Sequence, residues 1–146
     1  MIFPTREIIV EHNRIIIDST IGFFVPPENL LNSDGLEWVL EIIQYPLFGI
    51  NPYPTLVEKA AILVWTIIND HVFIDGNNGN KRTAMFIMET FLNMNGFSLE
   101  STTTEMVKIA LNIANYRKDS FTFDDLTTWI RNGLRYYSNL NIVFWP

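Results

Sequence analysis

The chain has 146 residues, 48% of them apolar, a formal net charge of −6 and no cysteine. A single domain fits this length, and the sparse charge excludes a disordered chain. The missing cysteine excludes disulfide scaffolds, thiolate zinc sites and cysteine nucleophiles, and the acidic balance argues against direct nucleic-acid binding.

No run approaches the ~20 apolar residues that span a bilayer. Leu56 to Ile68 is too short, and Glu58 and Lys59 interrupt it. The start of the chain lacks a basic segment followed by an apolar signal core. The expectation is a cytoplasmic protein with no membrane partner.

Thr5 is a candidate N-cap for a first helix, with Ile8, Ile9, His12, Ile15 and Ile16 at helical spacing. His12 reads as a histidine packed against the core and satisfied by hydrogen bonding, with a supporting role near the active site as the alternative. Pro26-Pro27 breaks the pattern, Glu28 to Leu31 suggests a short helical turn, and Asn32-Ser-Asp-Gly35 is turn chemistry. Leu36 to Ile43 reads as a helix. Tyr45 to Pro54, with three prolines and Gly49, is a loop with room for a short extended ribbon.

Thr55 and Glu58 form a capping-box signature for the next helix, whose buried face is Leu56, Ala60, Leu63, Val64, Ile67 and Ile68. Ala84 to Met94 is apolar nearly all round, as a central helix is, and Asn95-Gly96 stops it. Thr102 and Glu105 repeat the capping signature ahead of Met106, Ile109, Ala110 and Ile113. Thr122 to Asp125 opens a last helix, which Gly133 ends or kinks. The tail, 136–146, is aromatic without helical period. The sum is an all-α single domain, 1–146, of about six helices around a central buried one.

The chemistry is concentrated in His71-Val-Phe-Ile-Asp-Gly-Asn-Asn-Gly-Asn-Lys-Arg-Thr-Ala84. A glycine-containing polar turn opening into a helix holds anions through backbone N–H groups and the helix dipole. Gly76, Asn77, Gly79 and Asn80 are the candidate phosphate cradle. Lys81 and Arg82 would neutralise phosphate charge. His71 is the candidate general base, because its unperturbed pKa lies near neutrality. Asp75 is a hard oxygen ligand suited to Mg²⁺. The plain alternative is a loop whose Asn and Gly residues only make turns, and the company of His71, Asp75, Lys81 and Arg82 argues against it. An EF-hand starting at Asp75 fails at Gly79 and Phe86. A Walker loop fails because Asn80 precedes Lys81 and no strand leads in.

His71-x-Phe73-x-Asp75-Gly76-Asn followed by Lys81-Arg82-Thr83-Ala84 resembles the signature of Fic-domain proteins, closest to the Doc (death-on-curing) branch. Tyr53 to Ala61, Asn93 to Phe97 and Leu126 to Arg131 are similar to segments of that branch, so the likeness runs from Ile8 to Arg131 and leaves the tail uncovered. The resemblance implies a Fic-type helical fold and transfer of a phosphate-containing group from ATP, with Mg²⁺, onto a protein hydroxyl. Most Fic proteins transfer AMP. The Doc branch transfers the γ-phosphate to a threonine of elongation factor Tu and acts as the toxin of a toxin–antitoxin pair. Lys81 and Met85 stand where AMP-transferring members carry Gly and a second Arg, which favours the kinase reading. The resemblance makes His71 the base, Asp75 the metal ligand, Lys81 and Arg82 the phosphate clamps, and 45–54 the flap that aligns the target. The inhibitory Ser/Thr-x-x-x-Glu-Gly/Asn motif is missing, since Phe24 stands four positions before Glu28. That fits neutralisation by a separate antitoxin, for which the aromatic tail is a candidate contact.

The chain departs from the pattern at one point. Arg82 lies eleven positions after His71, where the family places it eight after. The added residues fall between Gly76 and Asn80. Continued helix would turn the cations by about 300° relative to the base, whereas a bulged loop would absorb the length at its glycines. Two expectations follow: an active phosphotransferase, or a Doc-like scaffold with little activity that still binds nucleotide or antitoxin.

Overall fold

The computed structural model describes residues 1–20, 22–74 and 78–136. Among the described residues, seven helices and two short strands run in the order α1 (Arg6–Asp18), α2 (Ser33–Gln44), α3 (Leu56–Asn69), α4 (Gly79–Met94), β1 (Phe97–Leu99), α5 (Thr103–Ala114), α6 (Tyr116–Asp119), α7 (Phe123–Gly133) and β2 (Leu134–Tyr136). The architecture is all-α, with α3 and α4 packed together at its centre. α1 lies on α4, α2 and α7 lie on α3, and α5 lies on both central helices.

The helices start where the capping chemistry says. Thr5, Thr55, Thr102 and Thr122 each accept an N–H three residues on. Only at Thr122 is the reciprocal box complete, with the Thr122 N–H donating to Asp125 at 2.8 Å. Glu58 turns instead to the Thr55 hydroxyl, and Glu105 accepts the Trp129 indole N–H.

Three expectations need correction, and one feature was not expected. The buried line of α1 is Ile9, Asn13 and Ile17, while Ile15 is exposed. Glu28 to Leu31 is not helical: Asn29 takes a left-handed φ of 56° and Leu30 bridges to Phe73 in antiparallel fashion. Asn32-Ser-Asp-Gly35 is the start of α2, because the Asn32 side chain accepts the Gly35 N–H at 2.9 Å. Finally, β1 and β2 form a two-stranded antiparallel sheet that no alternation announced. Gly133 ends α7 and makes this sheet possible. A Cβ there would lie 2.8 Å from the Leu99 side chain, and its carbonyl accepts the Glu100 N–H at 2.7 Å. All of the tail beyond Tyr136 lies outside the described residues.

Candidate active site

α3 ends where the candidate base begins. The Asp70 N–H bonds Thr66, His71 adopts a φ of 47°, and the Val72 N–H returns to the Ile67 carbonyl at 3.4 Å. This is a Schellman-type stop, whose left-handed position glycine usually fills. A histidine there costs on the order of 1 kcal/mol, so the surroundings must hold it. Val72 and Phe73 are fully buried, and the Val72 carbonyl accepts the N–H groups of Leu31 at 2.8 Å and Asn32 at 3.0 Å. The Ile74 N–H donates to the Asn29 carbonyl at 2.9 Å.

The other flank of the motif is the start of α4. Asn78 stands at its N-cap with a φ of 62° and makes no side-chain cap. Asn80, 3% exposed, grips the opposite flank: its Oδ1 accepts the Phe73 N–H and its Nδ2 donates to the Phe73 carbonyl, both at 2.9 Å. The Asn80 side chain thus closes the neck of the loop. α4 begins at Gly79, and the choice between continued helix and bulged loop falls on 75–77. Asp75, Gly76 and Asn77 lie outside the described residues.

His71 is exposed and lines a polar cleft of about 500 Å³ with Asn69, Asp70, Asn115, Arg117 and Lys118. Lys81 and Arg82 line a different groove of about 490 Å³, walled by Ile16, Met85, Met106, Ala110 and Leu111. The Lys81 Nζ donates to the Asn78 side chain at 3.0 Å. These two clefts share no lining residue among the described residues. One helix borders both: α5 supplies Leu111 to the cation groove and Ala114 to the histidine cleft. Three residues of helix separate these by only about 4.5 Å of rise.

The loop after α2 is a hairpin. Leu47 and Ile50 exchange N–H to carbonyl bonds of 2.7 and 2.9 Å around Phe48 and Gly49, both at positive φ, as a tight two-residue turn requires. Phe48 is 95% exposed at its tip. Lys59 of α3 anchors its root from within: the buried Nζ donates to the Ile43 carbonyl at 2.6 Å and reaches the Asn51 amide oxygen at 3.4 Å. Burial lowers the Lys59 pKa, with neighbouring Glu58 opposing.

Sequence reading missed Asn13, Asn29, Lys59 and the closing role of Asn80. The usable signal for Asn13 was an amide between Ile9 and Ile17 at intervals of four on a helix face.

The model of the Fic/DOC family matches residues 3–92, more than half of the chain, and the chain belongs to that family. The protein named Toxin Doc from Mycolicibacterium smegmatis is 41% identical over 56 residues, 38% of this chain and 41% of that protein. The match thus spans about two fifths of the relative's length.

Proposed function

We propose that this protein is a toxin-type Fic/Doc phosphotransferase, moving the γ-phosphate of ATP to a Ser or Thr hydroxyl of a target protein. The observation that carries the reading is the pair of helix ends. α3 delivers His71 and α4 delivers Lys81 and Arg82 on the two flanks of one loop, whose neck Asn80 closes on Phe73. Family membership and the likeness to a Doc toxin support it.

In the reaction the His71 imidazole takes the proton of the attacking hydroxyl. The hydroxyl oxygen bonds to the γ-phosphorus, the bond from that phosphorus to the bridging oxygen breaks, and ADP leaves with the electron pair. Lys81, Arg82 and the positive end of the α4 dipole balance the phosphate charge. Among the described residues no three acids or histidines form a metal cluster. Mg²⁺ does not need one, since one or two carboxylates and the substrate phosphates hold it. Asp75 is the motif's acid and would be the ligand, and the ion would supply neutralisation of phosphate charge. Elongation factor Tu is the proposed target, a separate antitoxin the proposed partner, and the cytoplasm the proposed location. The hairpin at 45–54 is the proposed target flap.

A specific observation favours a second reading, the weakly active scaffold: the cleft lined by His71 and the groove lined by Lys81 and Arg82 share no lining residue among the described residues. Incubation with Mg²⁺, elongation factor Tu and labelled ATP separates the readings. Transfer of γ-label, reduced a hundredfold or more by His71→Ala, is expected. Transfer that survives the substitution overturns the base assignment, and α-label transfer signals AMP transfer instead. No transfer from either label supports the scaffold, and activity gained on deleting 76–78 would trace the loss to the added residues.

A further inference from the structure

Behind the motif loop lies a buried chain of amides that the phosphotransferase reading does not use. Asn13 is fully buried on the α4-facing side of α1, at a position flanked one turn away by Ile9 and Ile17. Its Nδ2 donates to the Thr83 hydroxyl of α4 at 3.1 Å. Its Oδ1 accepts from Asn29 Nδ2 at 3.0 Å, and the same Nδ2 donates to the Ile74 carbonyl at 3.0 Å. Asn29, 2% exposed, also accepts the Val25 N–H at 3.0 Å and holds the left-handed backbone that turns its carbonyl to Ile74.

A buried amide is costly unless bonded, and a leucine at Asn13 would have packed with its isoleucine neighbours. The bonds run from Ile74, the last described residue on the histidine side, through Asn29 and Asn13 to Thr83, beside Arg82 on the cation side. Asn80 braces the same loop at its neck, on Phe73. A loop longer than the family pattern, with glycines, has no intrinsic reason to hold its ends at one separation. Two independent buried braces supply that reason.

We propose that Asn29, Asn13 and Thr83 are positioning residues that fix the separation of His71 from Lys81 and Arg82, so that the loop's added length does not let the base and the phosphate clamps drift relative to one another. The inference rests on the phosphotransferase reading for its consequence in rate, and on the hydrogen bonds alone for its consequence in loop order. Misplacement of reacting groups by ~1 Å costs about a hundredfold in rate.

The test uses Thr83→Val, which keeps the β-branched shape, and the pair Asn13→Leu/Thr83→Val. The single variant strands the Asn13 donor and should lose both stability and rate. The pair removes both partners of the Asn13–Thr83 bond but leaves one Asn29 N–H unpaired, so stability should return only in part, while kcat stays at least tenfold below wild type with KM for ATP within threefold. Asn13→Asp, which accepts from both Asn29 and the Thr83 hydroxyl, should recover part of the rate. Amide exchange at Phe73 and Ile74 is the second readout: it should quicken at least tenfold in the pair, with the amides of α7 unchanged. If kcat recovers with stability in the pair, the residues are merely structural and the proposal fails. If the wild-type protein transfers no label at all, the functional reading fails separately. The exchange at Phe73 and Ile74 then decides the positioning role, and unchanged protection there overturns it.

Discussion

At the scale of single residues, burial explains what motif matching does not. His12 has the environment expected of a satisfied core-side histidine. The Ile8 carbonyl takes its Nδ1–H at 2.7 Å, which leaves Nε2 to accept the Thr90 hydroxyl at 2.8 Å, and the ring packs on Phe86. Glu89, on α4, is half-buried, and loss of water raises its pKa above the ordinary carboxylate value. The sign follows from proton counts: between the unfolded value near 4.5 and the raised folded one, the native state binds more protons. Stability from this group is therefore complete below the unfolded pKa and falls as pH rises through the folded pKa. Glu89→Gln should raise Tm at pH 7.5 by roughly 1–3 °C, with the gain shrinking towards pH 4. Equal gains at both pH values would show that the carboxylate is not the cause. The candidate site was legible at this scale only as residue types. His71, Lys81 and Arg82 stand out in the sequence, whereas the Asn80 grip on Phe73 is a contact between a side chain and a distant backbone, which spacing does not encode.

At the scale of elements, caps were the readable feature, because a cap is local: one side chain and an N–H three residues on. The sheet was not readable, because Phe97–Leu99 and Leu134–Tyr136 are three residues each and meet across most of the C-terminal third of the chain. Asn32 shows what a cap does beyond its own helix. It caps α2 at Gly35, its Nδ2 donates to the Asp70 carbonyl at 3.0 Å, and its backbone N–H binds Val72. The start of α2 and the end of α3, next to His71, therefore share one residue. Thr122→Ala, which removes the hydroxyl half of the α7 capping box, should cost ~1 kcal/mol in urea unfolding. Asn32→Ala should cost more than that, because it also loses the hydrogen bond to the Asp70 carbonyl. Asn32→Asp should preserve the cap yet still destabilise, since a carboxylate oxygen would then face that carbonyl. Matching losses for Thr122→Ala and Asn32→Ala would mean that the link to α3 contributes nothing.

At the scale of the whole molecule, α3 acts as a ruler. Its C-terminal end presents His71, and nearer its N-terminal end Lys59 holds the root of the 45–54 hairpin. Ten residues of helix between Lys59 and Asn69 put the two about 15 Å apart, on a rod buried on nearly every side. Lys59 was legible only as an interruption in an apolar run, because its burial depends on the hairpin folding back over it. A buried ammonium bonded to a carbonyl and an amide oxygen, without a carboxylate within ion-pair range among the described residues, is not there for stability. Its pKa is lowered, so between that value and 10.5 the unfolded state binds more protons than the native one. Stability should therefore rise with pH across that window in the wild-type protein, and this rise should vanish in Lys59→Met. Met has similar length and no charge to bury, so Tm at pH 7 should be unchanged or higher. The hairpin, however, loses its anchor. Under the proposed function, transfer to the protein target should fall at least tenfold through KM for that target, with ATP binding unaltered. Chemical denaturation from pH 7 to 10.5 and target titrations measure both effects. A Lys59→Met protein that keeps the pH slope, or that keeps its KM for the target, would show that the ammonium neither feels its burial nor holds the hairpin.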